Sequence, residues 1–114
     1  MVVDDDAAFR RDVCAALAEA GVPVVAAGDG RDALAYLRGA ALKPGLLVVD
    51  LFMPGMDGFS LLSALSAEPS LSTIPIIVLS GVSTRLLPRE PVARFTKPML
   101  PDELLAAVHR HALL

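Results

Sequence analysis

Charged side chains that could perform chemistry follow three predicted β-strands of this 114-residue chain. Asp4 and Asp5 come directly after a short apolar run. Asp50 follows the aliphatic run 46–49, and Lys97 follows a shorter run later in the chain. Residues just past the carboxyl ends of strands line the ligand crevice of an open α/β sheet, so we expect these side chains to meet. Because carboxylates held close together cannot all stay ionised without a cation nearby, a divalent metal ion beside the lysine is expected.

The composition indicates one domain built around a buried parallel sheet. Apolar residues make up 54% of the chain and aromatic residues only 4%, so the core must come mainly from aliphatic side chains. Strands of a parallel sheet are buried on both faces and therefore appear as continuous aliphatic runs. We treat residues 1–114 as a single domain, since this length supports one core.

Charge and hydropathy exclude several functions. The formal net charge of −3 argues against nucleic-acid binding by this domain. No apolar run approaches the roughly 18 residues of a membrane span, and the acids at positions 4–6 leave no room for a signal peptide. The one cysteine, Cys14, cannot form an internal disulfide. We therefore expect a cytoplasmic domain that contacts neither membrane nor nucleic acid.

Strand-like and helix-period segments alternate along the chain. This alternation predicts a doubly wound α/β fold, with a parallel sheet covered by helices on both faces. Gly81, Pro88 and Pro91 leave space for only a shortened or irregular fourth helix. After a short first strand, the predicted strands are 22–27, 46–49, 74–79 and 92–95.

Helix boundaries are marked by specific residue types. Asp6, Asp29 and Asp57 are predicted N-caps, because a short carboxylate accepts hydrogen bonds from the first-turn amides. Gly21 is the predicted end of the first helix, and Pro101 suits the first turn of the last.

Four motifs in order at the predicted strand ends resemble a known family. They are VVDDD at 2–6, VDLFMPGMDG at 49–58, IVLSG at 77–81 and TKP at 96–98. Together they resemble the receiver domain of two-component response regulators, over the whole chain. The resemblance implies a five-stranded, flavodoxin-like sheet in the order 2-1-3-4-5.

The resemblance also implies a Mg²⁺ site and a phosphoacceptor. Asp50 would accept the phosphoryl group and would also bind Mg²⁺. Asp5 would bind the ion directly, Asp4 would bind it through water, and the backbone carbonyl of Phe52 would complete the protein ligands. A shell with few carboxylates and several waters is the one that Mg²⁺ prefers.

Three further residues would contact the phosphoryl group or its surroundings. Ser80 and Lys97 would each bind a phosphoryl oxygen, and Gly81 would leave steric access. The resemblance implies a cis bond between Lys97 and Pro98.

The phosphoryl donor would be a sensor histidine kinase or a phosphotransfer protein, and an output domain or partner protein would read the change. Such a domain catalyses its own modification and is not a turnover enzyme.

The chain departs from the family at the region that usually transmits the signal. Ser80 and Lys97 are 17 positions apart, which is fewer than usual. Arg94 stands where receivers commonly carry a switching aromatic residue, and Phe95 is expected to face the core instead. We expect Arg94 to respond electrostatically to the phosphoryl charge, so that Arg94→Ala would reduce phosphorylation-dependent partner binding.

A second departure concerns the lifetime of the phosphorylated state. Phe52 and Val82 lie two positions after the phosphoacceptor and the hydroxyl residue, where receivers influence attack by water. Both side chains are apolar and cannot orient a water molecule, so slow self-hydrolysis is expected.

Alternative functions remain open from the sequence. A pseudo-receiver would keep the fold and bind partners without phosphorylation. A phosphatase with an aspartyl intermediate is disfavoured because Phe52 stands where its proton-transferring acid would be. A flavin-binding protein is disfavoured because the acids after the first strand would repel a flavin phosphate.

Overall fold

The protein is described by a computed structural model that covers residues 1–80, 87–97 and 99–112. Within these residues, parallel strands form one five-stranded sheet in the order β2-β1-β3-β4-β5. This confirms the predicted doubly wound α/β fold and its strand order. The strands are β1 (Val2–Val3), β2 (Ala26–Ala27), β3 (Leu47–Asp50), β4 (Ile76–Ser80) and β5 (Ala93–Thr96).

Helices cover both faces of the sheet. The helix α1 (Ala7–Glu19) packs with α4 (Pro101–His111) on one face, and α2 (Gly30–Gly39) packs with α3 (Gly58–Ser66) on the other. Two aliphatic clusters fill the layers between helices and sheet. The predicted short fourth helix falls almost entirely on residues 81–86, which lie outside the described residues.

The predicted helix boundaries agree with the structure. The carboxylates of Asp6, Asp29 and Asp57 each accept a hydrogen bond from the backbone N–H three residues later. Gly21 follows α1 with a φ of +79°, in the left-handed region that favours glycine. Pro101 is the first residue of α4. These local signals therefore set where each helix begins or ends.

The predicted strand 22–27 is wrong over most of its length, because only Ala26–Ala27 pairs with β1. The amide of Val22 donates to the carbonyl of Leu17 at 2.9 Å and closes the end of α1 instead. Pro23 has no N–H to donate to a neighbouring strand. The chain therefore joins the sheet only after these residues.

Arg89 anchors the segment that leads into β5. Its guanidinium donates to the carbonyl of Leu71, at 3.3 Å, and to that of Ile74. Both carbonyls lie in the turn between α3 and β4, so the contacts tie the two connections together.

No helix in the described part of the chain is long and apolar enough to cross a membrane.

Candidate metal and phosphoacceptor site

Three carboxylates meet at the carboxyl edge of the sheet. Val3 of β1 lies level with Val49 of β3, so Asp4 and Asp50 leave adjacent strands at the same height. Oxygen atoms of Asp4, Asp5 and Asp50 all lie within 4.8 Å of one another. Asp4 and Asp50 are buried, whereas Asp5 is exposed. The structure thus brings together the three acids that the sequence placed after the first and third strands.

Lys97 joins this cluster from the end of β5. Its Nζ atom lies 2.6 Å from Oδ2 of Asp4 and 3.4 Å from Oδ2 of Asp50. Its backbone N–H donates to the carbonyl of Ser80 at 3.1 Å, which aligns the ends of β4 and β5. The lysine charge therefore lies between two buried carboxylates from different strands.

Burial is the largest influence on the ionisation of Asp50. It raises the pKa of that carboxyl, and the nearby charge of Asp4 raises it further. The amide of Phe52, which donates to Oδ1 of Asp50 at 3.0 Å, and the Lys97 ammonium act in the opposite direction without cancelling the effect. A further cation at this position would therefore favour the ionised carboxylate.

Lys97 experiences the complementary effect. Desolvation alone would lower the pKa of its ammonium, but the hydrogen bond and charge of Asp4, together with the charge of Asp50, raise it overall. Lys97 therefore stays charged at neutral pH. One lysine opposite three carboxylates leaves the cluster with negative charge, and an all-carboxylate donor set suits a hard divalent ion such as Mg²⁺.

Asp4 is held by contacts on every side. Its Oδ1 accepts from the amide of Asp6 at 2.9 Å, and its Oδ2 accepts from Lys97. Its main-chain carbonyl accepts from Nη1 of Arg10 at 2.6 Å. Both carboxylate oxygens of Asp4 are thus already hydrogen-bonded within the protein. These bonds fix the orientation of the buried carboxylate.

Two of the remaining predicted site residues lie at or just past neighbouring strand ends, Ser80 in β4 and Phe52 after β3. Ser80 is buried at the end of β4, beside β3. Phe52 extends outward with half of its surface exposed, and its ring contacts Phe59 edge to face, with centroids 5.9 Å apart. Gly81, Val82 and the predicted cis bond to Pro98 lie outside the described residues.

The orientation of β5 matches the expectation from its alternating side chains. Phe95 is partly buried and packs against the cluster beneath α1 and α4. Arg94 is exposed, and its guanidinium lies 3.7 Å from the carboxylate of Glu90. The cation at the position where the resemblance leads us to expect an aromatic residue therefore lies at the surface.

Two residues of this region were not identified from the sequence as parts of the site. Phe9 lies beneath the ammonium of Lys97, and Arg10 binds the backbone of Asp4. Both lie in the first turn of α1, directly after the acid run. That proximity was the available signal, but contacts with β5 depend on how the helix packs on the sheet.

Gly58 lets α3 begin directly against the strand that carries Asp50. A Cβ atom added at Gly58 would lie 2.5 Å from the carbonyl oxygen of Asp50 and 2.6 Å from Cα of Leu51. Both are backbone atoms, so the strand end would have to move. Gly58→Ala is therefore expected to lower the free energy of unfolding by about 2 kcal/mol and to weaken Mg²⁺ binding.

Gly39→Ala provides the matched control for that substitution. Gly39 ends α2, and an added Cβ would meet no atom within 4 Å. Its effect on unfolding should stay within about 1 kcal/mol. Denaturant unfolding and Mg²⁺ titration of both variants make the comparison, and equal behaviour of the two would contradict the close packing at Gly58.

Comparisons with known proteins identify the family to which this chain belongs. The family model described as "Response regulator receiver domain" matches residues 1–109. A probable transcriptional regulator, ycf27, from Porphyridium aerugineum is 36% identical over 95% of this chain and 45% of its own length. Protein PilG from Pseudomonas aeruginosa is 31% identical over 97% of this chain and 84% of its own length. The chain thus spans less than half of the first relative and most of the second.

Solved structures give the same result. The chemotaxis protein CheY4 from Vibrio cholerae has a TM-score of 0.83 at 29% identity, over 96% of this chain and 94% of that one. The phosphorylated cyanobacterial phytochrome response regulator RcpA has a TM-score of 0.74 at 32% identity, over 94% and 85% of the two chains. The chain belongs to the response regulator receiver domain family.

Proposed function

We propose that this receiver accepts a phosphoryl group on Asp50 from a phosphohistidine, with Mg²⁺ bound beside it. The observation that carries the proposal is the cluster of three carboxylates within 4.8 Å, with Lys97 in contact with two of them. The phosphohistidine would belong to a sensor histidine kinase or a phosphotransfer protein. The added charge would then shift a conformational equilibrium that an output domain or partner protein reads.

The metal would be held by the acids in different ways. Asp5 is exposed and would bind the ion directly, together with Asp50 and the main-chain carbonyl of Phe52. Asp4 would act through water, which fits its closer contact with Lys97: Nζ lies 2.6 Å from Oδ2 of Asp4 and 3.4 Å from Oδ2 of Asp50. Bound Mg²⁺ would supply positive charge that offsets the negative charge of the transferring phosphoryl group.

Asp50 is the proposed nucleophile. Its Oδ1 is fixed by the amide of Phe52 and its Oδ2 by Lys97, so the carboxylate is oriented before the donor arrives. In the transfer, a carboxylate oxygen forms a bond to phosphorus while the bond from phosphorus to the histidine nitrogen breaks. The imidazole keeps the electron pair of the broken bond. Little covalent chemistry is asked of the protein, so position and charge supply most of the rate enhancement.

The product would be stabilised by groups at neighbouring strand ends. Lys97 would pair with one phosphoryl oxygen, as it now pairs with Asp4 and Asp50. The Ser80 hydroxyl would donate to another, and Gly81 would leave space beside it. Because these groups come from β4 and β5, phosphorylation would couple the acid cluster to the side of the sheet that carries Arg94.

A pseudo-receiver that binds partners without phosphorylation is the alternative. Exposure to acetyl phosphate with Mg²⁺, followed at once by intact mass spectrometry, separates the two functions. We expect the mass increment of one phosphoryl group, and its absence when the metal is chelated. No increment, together with no Mg²⁺-dependent response to beryllofluoride in NMR spectra, would favour the pseudo-receiver.

Phe52 is expected to prolong the phosphorylated state. Its half-exposed ring, fixed against Phe59, offers no polar atom to orient an attacking water. Phe52→Asn should therefore speed the loss of the phosphoryl group several-fold, measured as decay of the phosphorylated mass after the donor is removed. An unchanged or slower decay would count against this role of the ring.

A further inference from the structure

An aromatic ring lies against the lysine of the proposed phosphoacceptor site. The Nζ atom of Lys97 is 4.4 Å from the centroid of the Phe9 ring. The same ammonium contacts the carboxylates of Asp4 and Asp50. Three elements of the chain therefore surround this cation: the first turn of α1, the end of β1 and the end of β3.

The backbone that carries the ring is held by contacts that do not involve Lys97. The backbone N–H of Phe9 donates to the N-cap carboxylate of Asp6 at 3.1 Å. The next residue, Arg10, binds the main-chain carbonyl of Asp4 at 2.6 Å. The two hydrogen bonds hold the backbone around Phe9, and the one from Arg10 joins the start of α1 to Asp4. The ring itself packs against the aliphatic cluster beneath α1 and α4.

A fixed ring is useful because lysine carries a compact charge on a flexible stem. About a quarter of the Lys97 side chain is exposed, so solvent competes for the ammonium. Attraction to the carboxylates draws the charge inward, but a carboxylate can be approached from many directions. The face of an aromatic ring attracts a cation within about 6 Å of its centroid. The ring also keeps solvent away from the side of the ammonium that it covers.

We propose that Phe9 is a positioning residue that holds the Lys97 ammonium over Asp50 through a cation–π contact. This role rests on the function proposed above for Asp50 and Lys97. In this assignment the Phe9 ring acts only through Lys97 and not on the phosphoryl group or on the carboxylates of the acid cluster. Its removal should therefore slow phosphorylation while leaving Asp50 competent as the acceptor.

The test separates the electrostatic effect of the aromatic face at position 9 from the effect of side-chain size and shape. Phe9→Leu removes the aromatic face, Phe9→Tyr keeps it, and fluorinated phenylalanines at this position weaken it stepwise with little change of shape. Two properties are measured for each protein: the initial rate of phosphorylation by acetyl phosphate with saturating Mg²⁺, and the NMR chemical shifts of the Lys97 ε-methylene protons. A ring face next to these protons shifts their signals upfield.

We expect Phe9→Leu to slow phosphorylation by about three- to ten-fold, the range of a partly desolvated cation–π contact, and to abolish the upfield shift. Phe9→Tyr should keep the wild-type phosphorylation rate and the upfield shift. Each fluorine added to the Phe9 ring should lower the rate further. Equal rates across the fluorinated series, or equal losses in the Leu and Tyr variants, would overturn the assignment.

The two proposals fail in distinguishable ways. If the wild-type chain takes up no phosphoryl group, the proposed function fails, but the NMR shifts of Lys97 still report whether Phe9 holds the ammonium. If the wild type is phosphorylated and its Lys97 signals show no ring-current shift, the positioning role of Phe9 fails alone.

Discussion

Replacing Lys97 with methionine is expected to slow phosphorylation of Asp50 by about 100-fold, the usual effect of removing one preorganised charge-stabilising group. Methionine keeps much of the length of the lysine stem but has no charge to offset that of the incoming phosphoryl group. It also leaves Asp4 and Asp50 without the ammonium that contacts both of them. Initial rates with acetyl phosphate and saturating Mg²⁺ measure the loss.

Lys43→Met is the matched control for this substitution. The Lys43 ammonium also has protein partners, but these are the carbonyls of Leu37 and Ala40 at the end of α2. Its replacement removes the same charge from the chain without touching the acid cluster. We expect its phosphorylation rate to equal that of the wild type, and equal losses in both variants would refute a specific role of Lys97.

The Lys97 variant should also show a characteristic pH dependence of stability without metal. The pKa of Asp50 is raised, chiefly by burial, so its contribution to stability is fully present below the ordinary carboxyl value and is lost as pH rises through the raised value. The pKa of Lys97 is raised too, so its contribution persists until alkaline pH. Loss of Lys97 should therefore cost more stability at neutral pH than at acid pH.

Asp5→Asn is expected to weaken Mg²⁺ binding by at least about ten-fold, the loss typical of removing even an outer-shell partner of a metal site. Phosphorylation at limiting Mg²⁺ should slow in proportion. Asp5 is the exposed member of the acid cluster, so this variant removes a proposed metal ligand without burying an unpaired group. Mg²⁺ titration followed by NMR measures the affinity, and phosphorylation rates at several Mg²⁺ concentrations measure the consequence.

The neighbouring Asp6 offers a control that changes the same charge one residue away. Its carboxylate caps α1 by accepting from the amide of Phe9, and asparagine caps helices equally well. Asp6→Asn should therefore keep both the fold and the Mg²⁺ affinity. The same weakening in the Asp5 and Asp6 variants would mean that general charge, and not coordination by Asp5, attracts the ion.

The fold could be predicted because its main signals are local. Aliphatic runs mark the central strands, and an aspartate stands at the start of each of the first three helices. The edge strand β2 was predicted too long because apolar composition alone does not show that Val22 closes α1 and that Pro23 cannot donate a hydrogen bond. At this edge of the sheet, the hydrogen bonds that each residue can form decide where the strand begins, and apolar composition does not.

The candidate site was predictable only in part. The acids could be placed together because parallel strands end at one edge of the sheet, which is a consequence of topology. That Lys97 lies closer to Asp4 than to Asp50, and that Phe9 covers it, could not be predicted. These contacts join positions far apart in the chain and depend on how α1 packs on the sheet and on where β5 ends beside β4.

The most direct test of the central claim is phosphotransfer from a phosphohistidine donor to the wild type and to Asp50→Asn, with the modified residue located by peptide mapping. Asparagine keeps the shape of the side chain but lacks a nucleophilic carboxylate. The account predicts one phosphoryl group on Asp50 of the wild type, dependent on Mg²⁺, and none on the variant. Equal labelling of both proteins, or label at another residue of the wild type, would contradict it.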